Sequence, residues 1–193
     1  MDFAPNDEPL PNIIWIVIDC WRDSALDPEI TPHLFQFSQT AQTFRNHHAG
    51  GNATRNGLFS LFYGLYSSYW RKVLAENRSP VLFDRLIDLD YEFSIYSNKP
   101  LTFPEFRKTA FARLNPFVYD KHEPKQSWQR DELIINKTLD FLKRPHEKPF
   151  FSFTFLDAAH SHYSFPKDEV KFEPTFISYN YSSSMCCYIT IKT

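Results

Sequence analysis

Two residues stand where the chain could hold a reactive group. Asp19 directly follows the apolar run Ile13–Ile18, and a carboxylate at a strand end is a common metal ligand, although it can also cap the next turn. Thr54 precedes a predicted helix that begins near Arg55. Its hydroxyl is therefore either an ordinary N-cap or a nucleophile at the positive end of the helix dipole. A metal ion held by Asp19 would lower the pKa of that hydroxyl far more than the dipole does.

The segment before Thr54 could bind an anion. All four glycines of the chain fall between positions 50 and 64, and Gly50-Gly51 would let the backbone approach a phosphate or sulfate closely. Asn52, between these glycines and Thr54, is a further candidate for substrate binding. His47-His48 precede the glycines, and adjacent residues on a strand point to opposite faces, so we expect at most one of them to enter a site.

Other polar candidates follow two predicted strands. Asp157 and His160 come after the apolar run 149–156, with His162 two residues later. This His-x-His pair could ligate a metal or hold an oxyanion, or could simply be solvated. Lys99 follows the predicted strand 91–97 and could supply a positive charge to an anionic substrate, or be solvated as most lysines are.

The elements that would position these residues alternate along the chain. The apolar run 13–18 and the segments 91–97 and 149–156 are typical of strands, the first of them buried on both faces. Apolar residues at helical spacing predict helices after Thr31-Pro32 (Leu34, Phe37, Ala41, Phe44), after Thr54 (Leu58, Leu61, Phe62, Leu65), after Ser79-Pro80 (Leu82, Leu86, Leu89) and over 131–143 (Ile135, Leu139, Leu142). This alternation predicts an α/β fold with a mainly parallel sheet flanked by helices. In such folds, ligands bind at the carboxyl ends of the strands, so Asp19, Asp157 and His160 are candidates for one cleft.

Composition excludes several classes of protein. The 193 residues are 42% hydrophobic and 23% charged, with a net charge of −2, so we expect a folded domain without the basic surface that nucleic acid requires. Three cysteines do not suggest a disulfide framework. No apolar run approaches the roughly 20 residues of a membrane helix, and the opening segment is too acidic and short for a signal peptide. We divide the chain into a polar lead-in (1–11), an α/β domain (12–177) and a divergent tail (178–193) that we expect to be disordered.

The order of these residues resembles a known family. Asn12–Asp19, Thr31-Pro-His-Leu-Phe and Gly50-Gly-Asn-Ala-Thr-Arg-Asn-Gly-Leu-Phe-Ser-Leu-Phe-Tyr-Gly64 resemble the start of the sulfatase domain in the alkaline phosphatase superfamily. The chain is most similar to the sulfatase-like hydrolases of the Gram-negative inner membrane. The resemblance continues through Arg78-Ser-Pro-Val-Leu, Tyr96–Phe106 and Phe153–His160.

The resemblance implies roles for individual residues. Asp19 matches the first metal-ligand aspartate, and Thr54 matches the nucleophile position, where it would also contact the metal. His160 matches a histidine that holds the sulfate or phosphate, and Lys99 matches a substrate-binding lysine. The implied cofactor is one divalent metal, of which Mn²⁺, Zn²⁺, Mg²⁺ and Ca²⁺ remain open. The implied partner is an anionic phosphate or sulfate ester, such as a lipid head group, and the implied location is a periplasmic domain held by membrane helices outside this chain.

Departures from the family pattern limit these implications. Thr54 cannot become the formylglycine of true sulfatases, and Asn56 and Leu58 replace the proline and arginine that follow it there. A threonine nucleophile instead resembles the phosphoethanolamine and phosphoglycerol transferases of the superfamily. Cys20 stands where many sulfatases have a second aspartate ligand, and the later Asp-His-Gly motif is missing. The chain therefore looks truncated at its C-terminal side, with an incomplete metal site and an unpaired sheet edge. A metal-dependent hydrolase or transferase and a non-catalytic scaffold that binds an anionic head group or a partner protein both stay open.

Overall fold

A five-stranded sheet forms the centre of the protein. The computed structural model describes residues 9–44, 46–160 and 163–166, together with the backbone of 188–192. The strands are β1 (Ile13–Ile18), β2 (Glu92–Ser97), β3 (Val118–Tyr119), β4 (Phe150–Leu156) and β5 (Tyr188–Lys192). Their order is β3-β2-β4-β1-β5, in which β1 to β4 are mutually parallel and β5 runs antiparallel to β1. The predicted α/β fold with a mainly parallel sheet is confirmed.

The strand register determines which residues meet at the carboxyl ends of the parallel strands, which we call the sheet edge. Ile18 pairs with Leu156 at the ends of β1 and β4, and the Asp19 amide extends the ladder by donating to the Leu156 carbonyl at 2.9 Å. On the other side of β4, the Asn98 amide just beyond β2 donates to the Phe155 carbonyl at 3.0 Å. The carboxyl ends of three adjacent strands therefore lie in one row, with neighbouring backbones about 5 Å apart.

Among the described residues, five α-helices flank the sheet. They are α1 (Pro32–Ser38), α2 (Thr54–Tyr63), α3 (Trp70–Glu76), α4 (Val81–Asp88) and α5 (Ser127–Lys143). The helix α1 ends before two of the residues predicted on its apolar face, and Phe44 is exposed. The buried face of α5 is also rotated by one residue from the prediction. Ile134, Thr138 and Phe141 are buried there, while Ile135 and Leu139 are exposed.

The rotation of α5 has a polar cause. Its sequence offers apolar residues on two adjacent stripes, and hydrophobic spacing alone does not distinguish them. The Thr138 hydroxyl lies 2.7 Å from the Thr154 hydroxyl of β4 in a fully buried contact. Because a buried hydroxyl needs a partner, this contact fixes which stripe of α5 faces the sheet.

Aromatic side chains fill the core between the sheet and α2. Phe62 is at its centre, and its ring contacts a set of rings that come from β1, α4, the segment between β2 and β3, and β4 (Trp15, Phe83, Phe106, Phe111 and Phe153), with centroids 5.3 to 6.1 Å away. Stacked and edge-to-face ring pairs at these centroid distances gain energy beyond that of their buried area. The abundant aromatic side chains of the chain therefore form the layer through which α2 packs on the strands.

The last strand replaces a predicted disordered segment. Residues 188–192 alternate Tyr, Ile and Thr, which favour strands. They pair with the outer edge of β1, so the unpaired edge expected there is covered along this strand. The rest of the predicted tail (178–193), like residues 1–8, lies outside the described residues.

A buried ion pair braces the loop that follows β2. The Arg107 guanidinium donates two hydrogen bonds to Asp120, at 3.0 and 2.7 Å, and the Leu101 amide donates a third at 2.7 Å. Burial acts to raise the pKa of Asp120, but the Arg107 and Leu101 donors outweigh it and hold that pKa below its ordinary value. The loop that begins with Lys99 is therefore fixed by a carboxylate that must stay charged.

We expect Phe62→Ala to destabilise the protein by about 3–5 kcal/mol, because it removes a buried ring from the centre of the core. Urea unfolding measures the change. Phe44→Ala is the matched control, since Phe44 is 71% exposed, and it should change stability by no more than about 0.5 kcal/mol. Equal losses in the two variants would show that Phe62 is not central to the packing.

We expect Asp120→Asn to cost about 3–5 kcal/mol at neutral pH, because it leaves Arg107 without its charged partner. A carboxyl whose pKa is lowered in the folded state stabilises above its unfolded pKa and loses that contribution as pH falls through the folded value. Wild-type stability should therefore decline below about pH 4, and the decline should be shallower in Asp120→Asn. Parallel pH profiles of the two proteins would contradict this assignment.

Candidate functional site

A hydrogen bond between Thr54 and Asp19 is the centre of the candidate site. The Thr54 hydroxyl donates to Asp19 Oδ2 at 2.8 Å, across 35 residues of sequence. Asp19 is 5% exposed, and Thr54 is half-buried. The two residues that sequence analysis singled out for chemistry therefore contact each other directly.

The backbone turn after β1 fixes the orientation of the Asp19 side chain. Asp19 leaves β1 at the sheet edge, and the next residue, Cys20, adopts a left-handed conformation with φ of 57°. This sharp turn lets the Cys20 amide donate to Asp19 Oδ1 at 2.9 Å. A non-glycine residue in this region carries strain, which is typical of functional sites.

Thr54 is the first residue of α2 rather than its cap. Ala53 occupies the N-cap position in an extended conformation, without a side-chain capping bond. The ordinary N-cap interpretation of Thr54 is therefore wrong, and its hydroxyl is turned toward Asp19 instead of toward its own helix. The hydroxyl still lies at the N-terminus of a ten-residue helix, where the dipole favours an anion.

A second polar pair lies on the neighbouring strand end. Asp157 is the first residue after β4, directly beside Asp19 in the continued register. The Lys99 ammonium lies 2.9 Å from Asp157 Oδ2, and Asp157 is 3% exposed. About half of the Lys99 side chain is exposed, so its charge is accessible to a ligand at this edge.

The remaining predicted site residues lie in the segments after β4 and before α2. His160 is half-buried in the turn after β4, and its amide donates to the Asp157 carbonyl at 2.9 Å. Asn52 is exposed in the loop before α2. His162 lies outside the described residues.

The glycines before α2 lie close against side chains of that helix. A Cβ on Gly50 would lie 2.2 Å from Ser60 Oγ, and one on Gly51 would lie 2.6 Å from Asn56 Cβ. The Gly50 amide donates to Ser60 Oγ at 3.1 Å. Close approach is therefore required by the side chains of α2, while the expected approach of this backbone to a phosphate or sulfate stays a prediction.

A cleft of about 530 Å³ lies behind α2, away from the Thr54–Asp19 contact. Both His47 and His48 line it, together with Tyr66 and Tyr69. The expectation that at most one of the two histidines faces a site assumed a strand, whereas the segment is a loop.

The described residues do not assemble a metal centre by themselves. Within 9–44, 46–160 and 163–166, no three His, Cys, Asp or Glu side chains group as ligands. Asp19 and Thr54 supply two oxygens, and both oxygens of Asp19 already accept protein hydrogen bonds. A catalytic divalent metal needs at least three protein ligands in most sites, so this pair alone does not fit one.

Sequence analysis missed three polar residues that surround Asp157. Asn98, Ser127 and Asp131 form a network around Asp157, and Asn98 and Asp131 are buried. Asn98 directly follows β2, so the strand-end rule could have found it. Asp131 was placed inside a helix, where acidic residues are ordinarily solvated, and its role depends on contacts 26 residues away.

Comparison with known proteins identifies the family. The sequence model of the Sulfatase family matches residues 11–189. A Haemophilus influenzae protein described as "Uncharacterized protein" is 27% identical over 150 residues, which cover 77% of this chain and 24% of that protein. The inner membrane protein YejM of Salmonella typhimurium is 26% identical over 133 residues, which cover 69% of this chain and 21% of YejM, and the Salmonella typhi YejM matches equally.

These matches show how much of its relatives' length the chain covers and which family it belongs to. It spans about a fifth to a quarter of the length of the curated relatives it matches. In the part of the chain that the structure describes, no helix has the length and apolar character to span a bilayer. The family model covers nearly the whole sequence, and the parallel sheet with flanking helices agrees with it. The chain belongs to the sulfatase family.

Proposed function

We propose that Thr54 is the nucleophile of a site that cleaves or transfers a phosphate or sulfate ester, with Asp19 as its orienting partner. The observation that supports this proposal best is the 2.8 Å hydrogen bond from the Thr54 hydroxyl to Asp19 Oδ2. A nucleophilic hydroxyl works only when it is held in one orientation toward the reacting atom. The bond to Asp19 limits rotation of this hydroxyl at a helix N-terminus, where an anionic ester is favoured.

Four groups of the chain would bind the ester. The N-terminus of α2 presents positive dipole charge beside Thr54. Lys99 contributes an accessible ammonium at the same sheet edge, and His160 lies in the turn after Asp157. Asn52, two residues before Thr54, adds a polar side chain to the entrance. In this arrangement the anion is bound by positive groups while the hydroxyl stays on the Asp19 side.

Asp19 alone does not activate Thr54. A carboxylate is far too weak a base to remove the proton of an alcohol at neutral pH. A divalent metal, which the family generally uses, would lower the pKa of a coordinated hydroxyl and neutralise ester charge. The described residues supply only part of such a site, so metal dependence is expected from the family and further ligands would come from elsewhere in the whole protein.

A non-catalytic scaffold is the second candidate. It is favoured by the occupation of both Asp19 oxygens by the Cys20 amide and the Thr54 hydroxyl, and by the absence of a ligand cluster within the described residues. Such a protein would use the same positive edge to bind an anionic head group, or would bind a partner protein, without turnover.

The relatives suggest where the whole protein acts. YejM is by its name an inner membrane protein. We propose that the whole protein is likewise anchored in the inner membrane, that this domain lies in the periplasm, and that the ester belongs to a lipid head group at the membrane surface.

We expect the whole protein, in which further ligands would complete the site, to bind Mn²⁺, Zn²⁺, Mg²⁺ or Ca²⁺ through Asp19, and we expect Asp19→Ala to weaken that binding at least about tenfold, which corresponds to about 1.4 kcal/mol. Isothermal titration calorimetry measures both affinities. Glu76→Ala is the matched control, because Glu76 is a half-exposed carboxylate on α3, and its affinity should equal that of wild type. A folded whole protein that takes up no metal would favour the scaffold.

Turnover of 4-nitrophenyl phosphate and 4-nitrophenyl sulfate separates the two candidates in the whole protein. Thr54→Ala should lower kcat by at least about 1000-fold if the hydroxyl attacks, whereas Thr54→Ser should retain measurable activity. Unchanged turnover in Thr54→Ala would exclude Thr54 as the nucleophile. No turnover in wild type, with head-group binding intact in Thr54→Ala, would establish the scaffold.

A further inference from the structure

We propose that Asp131 is a positioning residue that holds Asp157, and through it Lys99, in the arrangement that binds an anion. This inference rests on the proposed function, because it assigns a task to a residue that contacts neither the nucleophile nor the ester. The relevant geometry is a buried network at the carboxyl ends of β2 and β4, where helix α5 begins.

Asp131 accepts hydrogen bonds from the backbone on which Asp157 stands. Its Oδ1 and Oδ2 accept from the Asp157 amide at 3.0 and 3.2 Å, and Oδ2 also accepts from the Ala158 amide at 2.8 Å. These two amides begin the turn that leads to His160. One carboxylate from α5 therefore fixes the chain at the point where β4 ends and the site begins.

The same carboxylate connects to the adjacent strand. The Asn98 side-chain amide, just after β2, donates to Asp131 Oδ1. Asn98 is 1% exposed, and its Nδ2 also donates to the Ser127 carbonyl at 2.8 Å. Because Lys99 directly follows Asn98, this contact anchors the backbone from which the ammonium extends.

Asp157 completes the connection to the ligand side. Its Oδ2 accepts from the Ser127 hydroxyl at 3.1 Å and lies 2.9 Å from Lys99 Nζ. The ion pair therefore depends on the place of Asp157, and that place depends on the amide bonds to Asp131. A shift of about 1 Å in such a group can reduce binding or reaction by two orders of magnitude.

The network requires a carboxylate at position 131. All the described partners of Asp131 are N–H donors, so an amide side chain would turn one oxygen into a competing donor. Burial raises the pKa of Asp131, while the two backbone donors and Asn98 act against that rise. A buried acid that is costly to ionise and yet satisfied by three donors is more than a solvated helix residue.

The test compares Asp131→Asn with Thr138→Val in the full chain. Both residues are buried on α5 and bond to β4, but Thr138 contacts Thr154 in mid-strand, away from the site. Calorimetry with inorganic phosphate and sulfate measures anion affinity. Hydrogen exchange measures the protection of the Asp157 and Ala158 amides independently of any ligand.

We expect Asp131→Asn to weaken phosphate and sulfate binding at least about tenfold and to speed exchange of the two amides by a similar factor, as loss of a hydrogen bond to a charged group implies. Thr138→Val should lower stability but leave anion affinity and these two amides within about twofold of wild type. Equal effects of the two variants, or unchanged amide exchange in Asp131→Asn, would overturn the proposal.

Two further outcomes are distinguishable. If wild type binds neither anion, the proposed function fails, while the exchange rates still decide whether Asp131 fixes the strand end. If Asp131→Asn does not fold, Ser127→Ala removes the hydroxyl bonds to Asp157 and Asn98 and should lower anion affinity several-fold with little loss of stability. Unchanged affinity in Ser127→Ala would then count against the proposal.

Discussion

The parallel pairing of β1, β4 and β2 is the constraint on which the candidate site depends. Because a one-residue slip would turn each side chain to the other face, the register that pairs Ile18 with Leu156 also places Asp19 beside Asp157. The aromatic layer around Phe62 holds α2 on this sheet, so Thr54 reaches Asp19 at a fixed depth. Packing in the core and chemistry at the edge are therefore set by the same pairing.

The site edge combines strain with full hydrogen bonding. Cys20 adopts a left-handed backbone so that its amide can bond to Asp19, and Asp131 uses a buried carboxyl group to fix the turn after β4. Neither feature is needed for a stable core, since an apolar side chain at position 19 or 131 would be buried at a lower cost in free energy than a carboxyl group. Such local exceptions are what a sheet needs in order to hold polar groups still at its end.

Sequence reasoning found the elements where the pattern was unambiguous. The continuous apolar run of β1 and the glycine after α2, which caps it with φ of 63°, allowed both elements to be predicted. The face of α5 was wrong because Ile134 and Ile135 belong to two adjacent stripes, and the distant contacts that Thr138 and Asp131 make with β4 and the turn after it select between them. Strand β5 was missed because five alternating residues favour a strand only when a partner edge is available.

The site residues also divide into those that the sequence pattern could predict and those that it could not. Asp19 and Thr54 could be predicted, because strand ends and helix starts are visible in the sequence. Asp131 could not, because its partners come from another strand end, and neither could the contacts of the glycines with Ser60 and Asn56, because backbone freedom does not reveal what comes close. Family resemblance supplied the roles, while the structure supplied the contacts through which each role would operate.

A double-mutant cycle between Thr54 and Asp19 tests the central claim most directly. Urea unfolding of wild type, Thr54→Val, Asp19→Asn and the double variant gives the coupling free energy of the pair. A direct hydrogen bond from a hydroxyl to a buried carboxylate predicts a coupling of about 1.5–3 kcal/mol. Additive effects, with a coupling below about 0.5 kcal/mol, would show that the two residues do not form one site.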